Sequence, residues 1–153
     1  MKYGSTIILR IVISALGLIA IAITLVTLSM LVRGQVGLYA PMLFGAYVSV
    51  VPFLIALYQT WKLLGYIDKN KAFSVAAVKS LKNIKYAALI FGALYIVVMP
   101  FIYWAAQYDD APGVIVMGLA LAGGAFVVAT SAAVGQKLSQ SAVDIKSEND
   151  LTV

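Results

Sequence analysis

The chain has 153 residues, 63% of them hydrophobic and 11% charged, with a mean hydropathy of +0.99 and a formal net charge of +5. Soluble domains carry about 25% charged residues, so the composition excludes a soluble globular protein and puts the chain in a membrane. Neither cysteine nor histidine occurs, which excludes a disulfide framework, thiolate or imidazole metal sites, cysteine nucleophiles and histidine bases. No enzymatic activity, cofactor or metal is expected.

Four runs without Asp, Glu, Lys or Arg follow one another: Ile11–Val32, Leu38–Trp61, Tyr86–Tyr108 and Ala111–Gln136. Each exceeds the roughly 20 residues that cross a hydrocarbon core about 30 Å thick. The fold class expected is all-α: a polytopic membrane protein with transmembrane helices at about 8–32, 38–64, 84–108 and 111–137 in a single membrane domain over 1–153. A loop at 62–85 and a tail at 138–153 complete the chain. The first run has 22 residues, too long for a signal-peptide core, and lacks an A-x-A-like cleavage site, so it reads as a retained helix.

Lysine and arginine divide unevenly among the connections. Lys2, Arg10, Lys62, Lys69, Lys71, Lys79, Lys82, Lys85, Lys137 and Lys146 share one face, and only Arg33 lies on the other, beside Asp109 and Asp110. The positive-inside rule then makes both termini and the 62–85 loop cytoplasmic, in a bacterial plasma membrane. Aromatic residues agree: Tyr58, Trp61, Tyr66 and Tyr86 fall at the inner ends of spans, Tyr39, Tyr103, Trp104 and Tyr108 at the outer ends. The basic face is read as lipid attraction and topology control, with no direct nucleic-acid binding.

Short external connections force antiparallel pairing of helices one with two and three with four, an up-down-up-down bundle. Helix one, rich in Ile, Leu and Val, suits a lipid-facing surface. Helices two and three share a pattern, Tyr47-Val-Ser-Val-Val-Pro52-Phe53 and Tyr95-Ile-Val-Val-Met-Pro100-Phe101. Each proline frees the carbonyl four residues back. Two readings follow: a cavity at facing kinked helices, as in secondary transporters, or two kinked helices packed side by side. Thr24, Thr27, Ser49, Gln59, Gln107, Thr130 and Ser131 either line a polar path or bond neighbouring helices. No ionisable residue lies deep in any span, as coupled transport would require.

Asp109 and Asp110 ahead of Pro112 read as the N-cap and first-turn proline of helix four. Small residues recur four apart in that helix, at Gly118/Ala122, Ala120/Gly124, Ala125/Ala129, Ala129/Ala133 and Ser131/Gly135, a spacing that permits close backbone approach. Helix four is therefore either the packed centre of the bundle or the seam of a homodimer.

The connection 62–85 extends helix two to about Tyr66, turns through Asp68, Lys69, Asn70 and Lys71, and restarts at Ser74 as an N-cap. Lys79, Lys82 and Lys85 form a basic stripe beside apolar Val78, Leu81 and Ile84, which suits lipid head groups or a protein partner. The tail carries Leu138, Ala142 and Ile145 on one face, then Glu148, Asn149 and Asp150.

The strings Pro52-Phe-Leu-Ile-Ala-Leu-Tyr-Gln, Tyr66-Ile-Asp-Lys-Asn-Lys-Ala-Phe-Ser74, Val78-Lys-Ser-Leu-Lys-Asn-Ile-Lys85, Asp109-Asp-Ala-Pro-Gly113 and Ile145-Lys-Ser-Glu-Asn-Asp-Leu-Thr-Val153 resemble the bacterial domain-of-unknown-function 2975 family. The resemblance implies a small four-helix integral membrane protein without an assigned activity, often encoded beside a helix-turn-helix regulator. It supplies no catalytic residue.

Three functions are open at this stage. A non-enzymatic membrane protein would bind a cytoplasmic partner, such as that regulator, through Asp68, Lys69, Asn70, Lys71, Lys79, Lys82, Lys85, Glu148, Asn149 and Asp150. A small-molecule or lipid-handling pore would instead use a cavity at Tyr47, Pro52, Tyr95 and Pro100. A structural protein would pair its acidic tail with the lysine loop, within one chain or across a dimer.

Overall fold

The computed structural model describes residues 3–35 and 37–152; Lys2, Val36 and Val153 lie outside them. The described residues form four helices, α1 (Tyr3–Val32), α2 (Ala40–Asp68), α3 (Val75–Tyr108) and α4 (Gly113–Leu151), with a 3-10 turn at Gly37–Tyr39 before α2. All four are long and apolar enough to cross a membrane, and the described residues contain no strand.

Three helices end in the same way. After α1, α2 and α3, a residue with positive φ (Gly34 at 67°, Asn70 at 58°, Asp110 at 51°) turns the backbone back on itself. The next amide then bonds the carbonyl five residues upstream: Gln35 to Met30 at 3.2 Å, Lys71 to Tyr66 at 2.7 Å, and Ala111 to Ala106 at 2.9 Å. This is the Schellman closure, which satisfies helix-end carbonyls that would otherwise be unpaired. Asp110 therefore terminates α3 and does not start α4. The cap position of α4 is Pro112, with no side-chain cap bond, which corrects the reading of Asp109 and Asp110 as an N-cap. Asp109 instead accepts a hydrogen bond from the Tyr39 hydroxyl, tying the two turns at that end together.

The helices lie in a row in sequence order. Each packs on its sequence neighbour, and among the described residues α1 does not reach α3 or α4, nor α2 reach α4. The up-down-up-down bundle is thus open, with α3 packed on both sides; of the two readings of helix four, packed centre or dimer seam, the first is not met within the chain. α3 also holds the longest set of buried residues. Beyond Thr6, α1 has no buried side chain among those described. Its Ile, Leu and Val residues face outward because lipid tails are as apolar as they are, so burying them yields no hydrophobic gain.

Close approach builds the two inner seams. On α4, Gly118, Ala122, Ala125, Ala129, Ala132 and Ser139 are buried, a heptad-like run of alternating four- and three-residue steps to Ala132 and one of seven to Ser139 that keeps one face against α3. The larger partners come from α3: Met99 and Ile102 meet Gly118, and Leu81 meets Gly135. In reverse, Gly92 of α3 receives the ring of Phe126. Between α2 and α3, Gly45 lies directly against Val98, whose Cγ2 would sit 2.3 Å from any added Cβ.

α1 is held differently. Arg10 bonds the Asp68 carboxylate at 3.2 Å, with both side chains about three-quarters buried (25% and 22% exposed), and its guanidinium lies 4.7 Å from the centre of the Trp61 ring. Charge counting had assigned Arg10 to topology alone. This is the single ion pair among the described residues, so the acidic tail does not pair with the lysine loop within the chain.

Gly45→Ala should force α2 from α3, because Val98 presents a β-branched side chain that cannot retreat along the helix. Thermal unfolding in detergent is expected to show a loss of about 1–3 kcal/mol, the usual cost of overpacking. The double variant Gly45→Ala/Val98→Ala should recover part of it, and additive losses would show that the two residues do not oppose each other.

Candidate docking site at the lysine-rich end

The two longest helices determine what projects from the membrane. At 1.5 Å per residue, α3 spans about 51 Å and α4 about 58 Å, against about 30 Å of hydrocarbon. A short turn, Asp109–Pro112, joins them at one end, so the excess of both helices emerges at the other, where Lys137 and Lys146 lie on α4 and Lys79 and Lys82 on α3. Ser74 starts α3 by accepting the Ala77 amide at 3.3 Å, an N-cap that satisfies one of the first-turn donors.

The projecting part of α4 packs along the start of α3. Ala77, Val78, Ser80 and Ile84 are buried on α3, and the Ser139 hydroxyl reaches the Ala72 carbonyl at 3.5 Å. Lys85 donates to Gln136 at 3.0 Å and lies over the Tyr86 ring. Beyond Ser139 the two chains diverge into a groove of about 420 Å³, lined by Phe73, Ser74 and Val75 on one wall and by Val143, Lys146, Ser147, Asp150 and Leu151 on the other. Phe73 is 63% exposed, Val75 71% and Leu151 83%. They lie past the ends of the apolar runs, where side chains meet water and head groups.

The residues singled out from the sequence separate into two groups. Lys69, Lys71, Lys79, Lys82, Glu148, Asn149 and Asp150 are exposed, and Asp150 lines the groove. Asp68, Asn70 and Lys85 have internal tasks: the ion pair with Arg10, the left-handed turn and the bond to Gln136. Sequence reasoning missed Phe73 and Val75. Their signal was available, because both are apolar and flank the Ser74 cap outside every membrane run.

The kink candidates do not form a matched site. Tyr47 is exposed and Pro52 buried, whereas Tyr95 is half-buried and Pro100 exposed. Tyr95 stacks on Phe91 at 4.8 Å, Phe91 lies 6.0 Å from Phe53, and the Ser49 hydroxyl meets that of Tyr95 at 3.3 Å. Side chains therefore occupy the seam at the level of Ser49 and Tyr95, while Pro100 lines an open, largely apolar pocket of about 540 Å³ with Gly37, Pro41, Phe101 and Trp104, away from Tyr47, Pro52 and Tyr95. Most of the intramembrane hydroxyls serve their own helix: Thr24 donates to Ala20, Thr27 to Ile23, Ser49 to Ala46, Thr130 to Phe126 and Ser131 to Val127. Of the hydroxyl and amide side chains singled out above, Ser49 is the one that, among the described residues, bonds a neighbouring helix, through the Tyr95 hydroxyl. The Gln59 carbonyl oxygen is buried without a hydrogen-bond partner among the described residues.

The model of a family described as protein of unknown function (DUF2975) matches residues 7–153. The chain belongs to this family. It is also similar to the uncharacterized membrane protein YoaS of Bacillus subtilis (strain 168), with 57% identity over 107 residues, covering 70% of this chain and 67% of that protein. No solved structure matches it. This member of the DUF2975 family is thus a multi-pass membrane protein related to a bacterial one.

The left-handed turn at Asn70 gives a direct check on the base of the groove. Asn70→Gly is expected to leave thermal stability within about 0.5 kcal/mol, since glycine adopts positive φ freely. Asn70→Val should lose about 1–2 kcal/mol or more, the cost of holding a β-branched side chain, without the local hydrogen bonds that let asparagine tolerate it, in the left-handed region. Equal stability of the two variants would show that the turn does not hold this shape.

Proposed function

We propose that this protein is a non-enzymatic docking platform of the bacterial plasma membrane, with its lysine-rich end in the cytoplasm. There the α3–α4 projection binds a cytoplasmic protein, and the helix-turn-helix regulator implied by the family resemblance is the leading candidate. The observation that carries this reading is the groove between Phe73–Val75 and Val143–Leu151, an apolar surface standing outside the membrane runs. Lys146 lines it, and exposed Lys69, Lys71, Lys79 and Lys82 flank Phe73–Val75 along the chain, so a partner presenting apolar side chains on an acidic helix would gain both burial and charge complementarity.

Support for the non-enzymatic part comes from the side-chain inventory. The sequence has no histidine or cysteine, and three of its six carboxylates already serve as acceptors for Arg10, Tyr39 and Gln140. Support for the orientation comes from the ten-to-one division of bases under the positive-inside rule.

The absence of native cysteine makes orientation simple to measure. Asp110→Cys is expected to react with a membrane-impermeant maleimide on intact cells, and Lys71→Cys only after permeabilisation; the opposite pattern would invert the topology. For docking, the purified regulator is expected to bind the chain in nanodiscs at micromolar concentration. Phe73→Asp or removal of 145–153 should weaken binding by roughly tenfold or more, as expected when an apolar anchor of a small interface is lost. Undiminished binding by both variants would place the contact elsewhere.

A further inference from the structure

We infer a site for one anionic phospholipid between α1 and α2, at the lysine-rich end of the membrane. An apolar groove of about 410 Å³ runs there along Ile7, Ile11, Ser14, Ala15 and Leu18 of α1, with Arg10 and Trp61 at its mouth. From Arg10 at the mouth to Leu18 the helix rises about 12 Å, most of the half-thickness of a hydrocarbon core about 30 Å thick. The groove therefore accommodates the greater part of one leaflet's acyl chain. Neither α3 nor α4 reaches α1 among the described residues, which leaves the groove open to the bilayer, so its occupant is a lipid.

The mouth selects the head group. Arg10 is fixed twice, by Asp68 at 3.2 Å and by the Trp61 ring at 4.7 Å, yet its side chain is 25% exposed. A guanidinium has five donor hydrogens. Asp68 is its one hydrogen-bonded partner among the described residues, leaving donors for a phosphate without new ordering cost. Lys62 adds a second cation one residue beyond Trp61, held over the Tyr58 ring at 5.7 Å. The carboxylate of Asp68 offsets one of these charges, and the neighbouring Lys69 and Lys71 restore the excess. A zwitterionic head group would bring its own cation into this basic setting; an anionic one would not. This site is independent of the docking groove between α3 and α4.

The two tryptophans stand at opposite ends of the protein, so Trp104→Phe leaves Trp61 as the sole fluorophore. Nanodiscs containing brominated phosphatidylglycerol in phosphatidylcholine, and the reverse labelling, measure which lipid contacts Trp61. Quenching is expected to show about fivefold enrichment of the anionic lipid over its bulk fraction, the scale of one basic side chain at a membrane surface. Arg10→Met removes the anchoring cation, and Ala15→Phe fills the groove with all charges kept; both should return the ratio to about one, with Arg10→Lys retaining part of it. Equal quenching by the two lipids in the parent protein would overturn the site. So would a preference that survives both Arg10→Met and Ala15→Phe, because it would belong to the general basic belt. Folding of each variant is verified by helical circular dichroism and monodispersity, and where Arg10→Met fails to fold, Ala15→Phe decides.

Discussion

Lipid offers helices no gain for burying apolar side chains, so this protein is held together by how closely its backbones approach. The α3–α4 seam shows this most fully. Gly118, Ala122, Ala125, Ala129 and Ala132 present almost no side chain to α3, and α3 fills the space with Met99, Ile102 and Leu81. Because the seam repeats at heptad spacing, it continues without a break past the membrane surface to Ser139. The projecting pair of helices therefore continues a packing set by small residues inside the bilayer, which lie about 17 Å (Ala132) to about 38 Å (Gly118) along α4 from Val143 at the start of the groove, at about 1.5 Å of rise per residue.

The row loses cohesion from α4 and α3 toward α1. α2 meets α3 through Gly45 and Val98, the Phe53–Phe91–Tyr95 contacts and the Ser49–Tyr95 bond. α1 meets α2 through Gly17 against Leu57 and through the Arg10 cluster. An exposed ion pair contributes about 0–1 kcal/mol; this one is three-quarters buried and shares its cation with Trp61, so it is screened less than a surface pair but has a desolvation cost to offset, and it is still a single contact. Asp68 is also the last residue of α2, immediately before the turn that leads to the groove between Phe73–Val75 and α4. A displacement of α1 would thus be felt first at that turn, by the residue that ends the helix.

The number of spans, their order, their antiparallel pairing and the Ser74 cap were legible from the sequence, because hydrophobic length and charge asymmetry are properties of contiguous residues. Contacts between distant residues were not. Arg10 and Asp68 stand 58 positions apart, and each has an adequate local explanation, as a flanking positive charge and as a turn residue. Asp110 was misread for a different reason. An aspartate just before Ala-Pro satisfies the preferences of a helix start, and those preferences do not reveal that its own φ is 51°. The small residues of α4 occur on more than one face, so spacing alone could not select the stripe that packs: Ala120 and Gly124 have the same four-residue separation as Gly118 and Ala122, yet they are exposed.

The Tyr and Pro recurrence in α2 and α3 shows why a repeated string need not make a repeated site. Five residues along a helix rotate a side chain by about 140° net, so the tyrosine and the proline of each copy face different directions. In α2 the proline is buried and the tyrosine exposed; in α3 the tyrosine turns inward to Ser49 and Phe91 while the proline is exposed. A two-fold axis relating the copies would present the same residue of each to their shared seam, and here the phases are opposite. The paired broken helices of an inverted-repeat transporter depend on that matched phase. Without it, Pro52 and Pro100 sit in different settings, and aromatic side chains fill the seam at the level of Ser49 and Tyr95.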